Sequence, residues 1–417
     1  MKSKCDVLVM IWGMGGRDAH ALIPIIYLLR EKYGLRVEVR SIFDYSAIDL
    51  LRPKVLLTNG CTGSIKTFKV TKYASQRGVY TVALHAEGVF RHDELREMLW
   101  GCNKDERVYI DKWFMWNENA YQWSIEKYPD LRSKLEVSGS VGHEKYLMIK
   151  HDKVLRKKML RGRFNAIIFY AAWGFDSLQR LYSEGKFAKN PESEKNRVVN
   201  LLRGVIRVYP DKLFILKYHP GTLEEEETEI YNYFNDCENV LIIRNEHPIY
   251  KLISISDVVI VYDSTTSVDS WLLNKTTIHL CYGDFGYSSI RDGSLTPKTL
   301  DELIKYLEEY FTNGHVKEFE NKKNIRNEII RDSFGNLQSK PSLMVADHIY
   351  KNLGHLKKKK CALSLIYFVR GVLNRVFYHC RWLPNIKVFS SMRQHYRPDL
   401  FTVEQEELYE NMQCYYK

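Results

Sequence analysis

Short apolar runs alternate with helical patterns over most of this 417-residue chain, and this alternation restricts its fold more than any other feature. Strands buried on both faces of a parallel sheet have this near-continuous apolar character. We predict strands at residues 6–12, 35–40, 55–58, 79–84, 135–138, 166–170, 213–218, 240–243, 258–262 and 276–281. Because parallel strands need crossover connections, which are usually helices, the pattern predicts an α/β fold with doubly wound sheets.

The predicted strands fall into two groups, one on each side of a basic stretch at 144–163 that lacks strand character. At roughly 150 residues per domain, the length also fits two ordinary domains and an appendage. We predict an N-terminal Rossmann-like domain at 1–150, a C-terminal Rossmann-like domain at 151–345 and a basic helical tail at 346–417. A cleft between two such domains is the default place for a ligand.

The positive charge of the chain is concentrated near its C-terminus. The formal net charge is +11, and His348 to Pro398 contains 11 Lys and Arg residues without any Asp or Glu. The remaining Lys and Arg residues equal the 51 acidic residues in number. This balance does not favour a protein that coats DNA or RNA, and it predicts a local anionic partner for the tail.

The tail contains a basic amphipathic pattern, with apolar residues at helical spacing from Ala362 to Phe377. One interpretation is an anchor on an anionic membrane, where each basic residue near the surface contributes about 1 kcal/mol. The other is a helix whose apolar stripe packs against the two domains. We favour the membrane slightly, because no carboxylate interrupts the basic stretch.

Cysteine usage and the N-terminus predict a cytoplasmic protein. The eight cysteines are scattered singly, without a Cys-x-x-Cys pair or a Cys/His cluster at zinc spacing, so we expect reduced thiols. The first residues lack the apolar region of a signal peptide, and no apolar run approaches the roughly 18 residues of a membrane span. Through the tail, the protein would attach peripherally at the inner face of the membrane.

The first predicted strand is followed by a glycine turn, Gly13-Met14-Gly15-Gly16-Arg17-Asp18. In a G-x-G-x-x-G dinucleotide fingerprint a third small residue would occupy the position of Asp18. We therefore interpret the glycines as a tight turn that leaves room for a ligand, rather than as a dinucleotide site.

Two polar segments follow apolar runs in the second predicted domain. They are Lys217-Tyr218-His219-Pro220-Gly221 and Tyr262-Asp263-Ser264-Thr265-Thr266-Ser267. Both lie at carboxyl ends of predicted strands, the edge of an open α/β sheet where ligands bind. Hydroxyls, amides and an imidazole there suit a phosphate or a nucleotide. Alternatively, His-Pro is only a turn and the Ser/Thr run only a helix cap. The two segments together favour a site, whereas we interpret His247-Pro248 as structural.

With these two motifs, the paired domains resemble the GT-B glycosyltransferases of bacterial surface-carbohydrate synthesis, over roughly residues 5–350. The most similar group is the inverting transferases of CMP-activated ulosonic acids (sialyl-, Kdo- and related transferases), which carry an HP motif and a later Ser/Thr motif. Arg17-Asp18, Glu87-Gly88 and Gly139-Ser140 are also similar to surface-carbohydrate proteins. The resemblance implies sugar transfer from a nucleotide donor, a substrate rather than a cofactor, to a glycan or glycolipid of capsule or lipopolysaccharide.

An inverting transfer needs a group that takes the acceptor proton and a group that stabilises the leaving phosphate. Glu87 is the predicted base, although Ala86-Glu87-Gly88 supplies only one carboxylate where sialyltransferases have an acidic-acidic-glycine triplet. The alternatives are that Glu87 caps a helix beginning near Phe90, or that the base is His92, Asp93 or Glu94.

The remaining predicted site residues divide between nucleotide and acceptor. His219 is predicted to act on the leaving phosphate, and the nucleotide-binding residues are Lys217, His219, Pro220, Ser264, Thr265, Thr266 and Ser267. The predicted acceptor-side residues are Gly15, Gly16, Arg17 and Asp18. The sequence contains no Asp-x-Asp, so we do not predict a metal at the phosphates, in agreement with a monophosphate leaving group such as CMP.

Other functions remain open at this point. The Ser/Thr motif is also similar to that of glycerol- and ribitol-phosphate transferases that act on CDP-polyols. A UDP-sugar transferase or a sugar-nucleotide epimerase, which needs no acceptor, would use the same paired domains. A non-catalytic assembly subunit would keep the fold and bind partners or membrane through the tail.

Overall fold

A computed structural model describes residues 5–12, 17–60, 65–85, 108–171, 191–218, 224–244, 246–262, 264–281, 288–356, 365–383 and 398–416. The chain folds into two compact units. Unit 1 contains residues 1–148 together with 330–417, and unit 2 contains residues 149–329.

In the described part of unit 1, six strands form a wholly parallel sheet, sheet A, in the order β2-β1-β3-β4-β5-β6. The strands are β1 (Val7–Ile11), β2 (Val37–Ser41), β3 (Val55–Asn59), β4 (Tyr80–Leu84), β5 (Lys112–Met115) and β6 (Leu135–Val137). The N-terminal helices of the unit are α1 (Arg17–Tyr27), which continues as a π-helical turn to Lys32, α2 (Ala47–Leu51), α3 (Ile65–Gln76), α4 (Glu118–Lys127) and α5 (Val141–Glu144).

Strand β5 is an element that the sequence analysis did not predict. Its Trp113 and Phe114 are both buried, but in different apolar clusters on opposite sides of the sheet. A four-residue strand buried on both faces shows no apolar–polar alternation, and aromatic residues before and after it make its ends hard to recognise in the sequence.

In the described part of unit 2, five parallel strands form sheet B, in the order β11-β10-β7-β8-β9. The strands are β7 (Ala166–Ala171), β8 (Lys212–Lys217), β9 (Val240–Ile243), β10 (Val258–Val261) and β11 (Thr276–His279). The helices are α6 (Lys153–Leu160), α7 (Glu192–Val208), α8 (Glu224–Phe234), α9 (Ile249–Ile255), α10 (Thr266–Leu272), α11 (Ser288–Asp292), α12 (Leu300–Asn313), α13 (Lys317–Asn321) and α14 (Lys323–Phe334). The last turn of α14 crosses into unit 1.

The C-terminal residues complete unit 1 through α15 (Pro341–Leu353), α16 (Leu365–His379) and α17 (Pro398–Tyr415). Helix α15 adds Val345 and Ile349 to the core of sheet A, and α17 adds Leu408 and Met412. The chain therefore divides at 148 and 329 rather than at 150 and 345, and residues 346–417 are not a separate tail. The physical reason is that the apolar faces of α15 and α17 cover one face of sheet A.

A buried carboxylate links α15 and the residue that follows α17 to the first part of the chain. Glu144 accepts hydrogen bonds from the Ser342 backbone N–H at 2.7 Å and from the Tyr416 hydroxyl at 2.8 Å. Burial raises the pKa of Glu144. Among the described residues, no helix is both long and apolar enough to cross a membrane.

Candidate functional site

The strand order of sheet B defines where a ligand is expected. Strand β7 is followed in the chain by β8 and β9 on one side and by β10 and β11 on the other. The order therefore reverses between β7 and β10, and ligands of such sheets bind outside the carboxyl ends of the strands at this point. Ser264 and Thr265 lie in the segment that leaves β10 there.

The strand register brings the two predicted nucleotide-binding segments to the same edge. Lys217 pairs with Ala171 in β7, and Ala171 pairs with Val261 in β10. With neighbouring strands about 4.8 Å apart, the Lys217 and Val261 backbones are about 10 Å apart. One phosphate-bearing ligand is large enough to contact both segments.

Lysine side chains lie near the carboxyl ends of strands β8 and β9. The Lys217 ammonium is half-buried and donates to the backbone carbonyl of Arg244. Burial lowers the pKa of Lys217, an effect that the charge of Glu246 partly opposes. Burial also lowers the pKa of His247, and the charges of Lys251, Lys158 and Lys217 lower it further. An anion bound here would stabilise the charged ammonium.

The Ser/Thr segment is less open than the sequence pattern indicated. The Thr266 backbone N–H donates to Ser264 Oγ at 3.2 Å, and the Ser267 N–H donates to the Ser264 carbonyl at 3.1 Å. Thr266 is 6% exposed and Ser267 is fully buried, whereas Ser264 and Thr265 are half-buried. Among the described members of the segment, Ser264 and Thr265 are thus the ones that reach the surface.

A buried histidine that the sequence analysis did not single out ends strand β11. His279 pairs with Val261, so both side chains lie on the same face of sheet B. The Cys281 backbone N–H donates to His279 Nδ1 at 3.3 Å, which places the ring proton on Nε2. Burial lowers the pKa of His279 to about 3, so its imidazole is neutral. Within an apolar run, a single histidine gave no signal for this position.

Unit 1 has a polar contact at the corresponding point of sheet A. The strand order reverses between β1 and β3, where the Asn59 side-chain amide donates to Asp18 Oδ1 at 2.9 Å. Asp18 was predicted on the acceptor side, and Asn59 is a new member whose only sequence signal was its place at the end of β3. Arg17 begins α1, and Gly15 and Gly16 lie outside the described residues.

The predicted base follows strand β4, whose carboxyl end is held by two hydrogen bonds at His85. The His85 N–H donates to the Phe114 carbonyl at 2.8 Å, and the His85 carbonyl accepts from Trp116 Nε1 at 2.7 Å. Several predicted residues fall outside the described ranges, so their roles stay predictions: Glu87, its rivals His92, Asp93 and Glu94, and His219 with Pro220. Over the described ranges, no group of three or more His, Cys, Asp or Glu side chains is arranged to hold a metal ion.

Comparisons with known proteins gave matches among solved structures only. No protein-family model and no curated protein matches the chain. The structure of UDP-GlcNAc 2-epimerase from Neisseria meningitidis bound to UDP-GlcNAc matches with a TM-score of 0.56 and 15% identity, over 83% of this chain and 100% of that chain. The S. aureus MnaA–UDP structure gives a TM-score of 0.55 and 14% identity, over 85% and 98% of the two chains.

A third match is the wall teichoic acid polymerase TagF soaked with CDPG, with a TM-score of 0.54 and 13% identity, over 85% of this chain and 90% of that chain. At identities this low, what the structural matches show is a shared fold. The predicted architecture of two Rossmann-like, doubly wound domains of GT-B type with a helical C-terminal region is therefore confirmed.

Proposed function

We propose that the chain is a nucleotide-sugar enzyme, specifically an inverting glycosyltransferase that binds its donor at the carboxyl edge of sheet B. The observation that carries this proposal is the position of Lys217 and Ser264 on either side of β7, at the point where the strand order reverses. That point is the expected ligand position in an open α/β sheet.

The chemistry of this edge suits a leaving nucleotide. In the transfer, an acceptor hydroxyl oxygen forms a bond to the anomeric carbon while the bond from that carbon to the phosphate oxygen breaks. The phosphate gains negative charge as it leaves, and a half-buried ammonium such as Lys217 stabilises it more strongly than a fully hydrated one. We propose that the Thr265 hydroxyl donates a hydrogen bond to the same group. The Ser264 hydroxyl, which donates to Thr266 Oγ1 at 3.0 Å in the structure, would turn to the phosphate when the nucleotide binds.

The acceptor proton needs a base, and Glu87 remains our proposal for that role, with His219 acting on the phosphate. Asp18 is a proposed acceptor-side residue, since the Asn59 amide orients its carboxylate. A carboxylate held in this way can accept hydrogen bonds from sugar hydroxyls.

For the donor, we propose a CMP-activated ulosonic acid, and for the acceptor a hydroxyl of a surface glycan or glycolipid. The matched structures support two rival kinds of donor. One is a UDP-sugar, since two of these structures contain UDP or UDP-GlcNAc. The other is CDP-glycerol, since the third was soaked with CDPG. An epimerase acting on a UDP-sugar is the second candidate, favoured because this chain covers the whole length of the epimerase structures. We also propose a cytoplasmic location, since described cysteines of both units, Cys414 and Cys237 among them, are free thiols.

Nucleotide release tests these assignments. The full-length protein would be incubated with a CMP-ulosonate, CDP-glycerol or UDP-GlcNAc, each with and without a pool of glycan acceptors, and the products separated by chromatography. Release of CMP from the ulosonate donor only with acceptor supports the proposal. Acceptor-dependent turnover of CDP-glycerol indicates polyol-phosphate transfer, and an acceptor-independent change of UDP-GlcNAc indicates epimerisation.

Two variants link the result to the site. Lys217→Met should reduce turnover, whereas Lys212→Met, at the opposite end of the same strand, should leave it unchanged. Failure to turn over any of the three donors would leave the non-catalytic subunit as the better account.

A further inference from the structure

Helix α16 contacts the rest of unit 1 through one face, which contains Gly371, Asn374 and the buried Tyr378. Asn374 Nδ2 donates to the Phe43 carbonyl at 2.9 Å, and Asn374 Oδ1 accepts from the Ser46 N–H at 3.3 Å. At Gly371 an added Cβ would lie 2.5 Å from the Tyr73 hydroxyl, so the helix lies very close to the unit there. Positions 371, 374 and 378 recur at helical spacing and therefore form one face.

The apolar stripe of α16 is not used in this contact. Apart from Tyr378, the large apolar side chains of α16 from position 369 onward are about half exposed, and the same character continues beyond the helix: Val369, Val372, Leu373, Val376, Phe377, Trp382 and Leu383. We call these seven residues the apolar stripe. The sequence analysis left open that this stripe packs against the domains. In the described residues it does not, since all seven side chains are about half exposed. A contiguous exposed apolar surface of this kind marks an interaction site.

Charge around the apolar stripe indicates the kind of partner. Arg370 and Arg375 are exposed on the same helix, four lysines at 357–360 precede it in the chain, and no carboxylate occurs from 348 to 398. A second copy of the chain would bring the same basic stretch against itself, without an acidic group in that stretch to neutralise it. An anionic lipid surface supplies both an apolar layer and negative charge.

We propose that α16 lies in the headgroup region of an anionic bilayer, with the apolar stripe buried among the acyl chains and Arg370 and Arg375 at the phosphates. Trp382 has the amphipathic ring that is enriched at this depth. The helix lies on the membrane rather than across it, as amphipathic basic helices do. This surface belongs to unit 1, whereas the proposed nucleotide edge belongs to unit 2.

Vesicle co-sedimentation of the full-length protein tests the proposal. The two vesicle preparations are phosphatidylcholine alone and an equimolar mixture of phosphatidylcholine with phosphatidylglycerol. Wild-type protein is expected to bind the mixed vesicles at low salt, and to bind less as salt screens the charges. Weak or no binding is expected on phosphatidylcholine alone.

Two double variants separate the apolar and electrostatic contributions. Leu373→Ser with Phe377→Ser should weaken binding roughly 30-fold or more, since two large side chains lose their apolar burial. Arg370→Gln with Arg375→Gln should weaken it roughly 25-fold, at about fivefold for each charge. The matched control is Val208→Ser with Tyr231→Ser, two similarly exposed apolar positions of unit 2, which should bind as wild type.

Several outcomes would overturn the proposal. One is absence of wild-type binding to the mixed vesicles at low salt, and another is unchanged binding of the Leu373/Phe377 variant. A third is a wild-type dimer in light scattering that this variant converts to a monomer, which would make the stripe a self-interface. Circular dichroism and an unchanged melting temperature confirm that the variants fold, and an unchanged nucleotide response separates this test from that of the proposed function.

Discussion

Protonation of His279 should destabilise unit 2 as the pH falls below neutrality. In the folded protein burial holds the pKa of this imidazole at about 3, with a smaller lowering contribution from the charge of Arg291. In the unfolded chain the pKa returns to about 6.5. The unfolded state binds the proton more readily than the folded state. The contribution of His279 to the free energy of unfolding is therefore fully present above pH 6.5 and is lost as the pH falls toward 3.

The magnitude follows from the two pKa values. Between pH 7 and pH 5 the unfolded histidine becomes almost fully protonated while the folded one stays neutral, which removes about 2 kcal/mol of the free energy of unfolding. This is a substantial part of the stability of an ordinary domain.

Urea denaturation of wild type and His279→Asn at pH 7 and pH 5 measures this effect. Asparagine does not titrate and keeps an acceptor for the Cys281 N–H. The wild type should lose about 2 kcal/mol more than the variant over this range. His315→Asn, at an exposed position, is the control and should follow the wild type. If wild type and His279→Asn lose equal stability, the reasoning about burial of this imidazole is refuted.

Three further predictions concern stability, each measured by chemical denaturation against a matched control. Gly335→Ala should lower the free energy of unfolding by more than about 3 kcal/mol, because its Cβ would lie 2.1 Å from the Trp116 carbonyl oxygen. The control Gly34→Ala has the same sign of φ but open space around the Cβ, and should cost about 1–2 kcal/mol. Equal costs would contradict the close approach at Gly335. Tyr416→Phe should cost about 1–3 kcal/mol through loss of the bond to Glu144, and Tyr350→Phe, at an exposed position, should stay within about 0.5 kcal/mol. Asp257→Asn should cost about 1 kcal/mol or more, since Asp257 binds both Arg156 and the Ile167 N–H, and the exposed Asp332→Asn should have almost no effect.

The strands were predictable because their signal is local. Runs such as those in β1, β8 and β10 are buried on both faces, and their sequence shows it directly. The same applies to the place of Lys217 and Ser264, since a polar segment that directly follows a buried strand must lie at its carboxyl end.

Features that depend on tertiary packing were not predictable. The sequence does not show which unit the apolar faces of α15 and α17 cover, so the return of residues 330–417 to unit 1 was missed. Likewise, a Ser/Thr run does not reveal that Thr266 and Ser267 point inward while Ser264 and Thr265 reach the surface. That His279 is a neutral histidine beside the proposed site could be recognised only from its strand pairing with Val261 and from its burial.

The central claim is that the carboxyl edge of sheet B binds a nucleotide through its phosphate, and a thermal-shift panel of CMP, CDP, UDP, GDP and dTDP tests it most directly. A nucleotide at a hundred times its dissociation constant should stabilise the protein by about 2.7 kcal/mol, which raises the melting temperature by a few degrees. We expect one nucleotide, CMP first, to produce this shift in wild type and in Lys212→Met, and a clearly smaller shift in Lys217→Met. Absence of any shift at millimolar nucleotide, or an undiminished shift in Lys217→Met, would contradict the account.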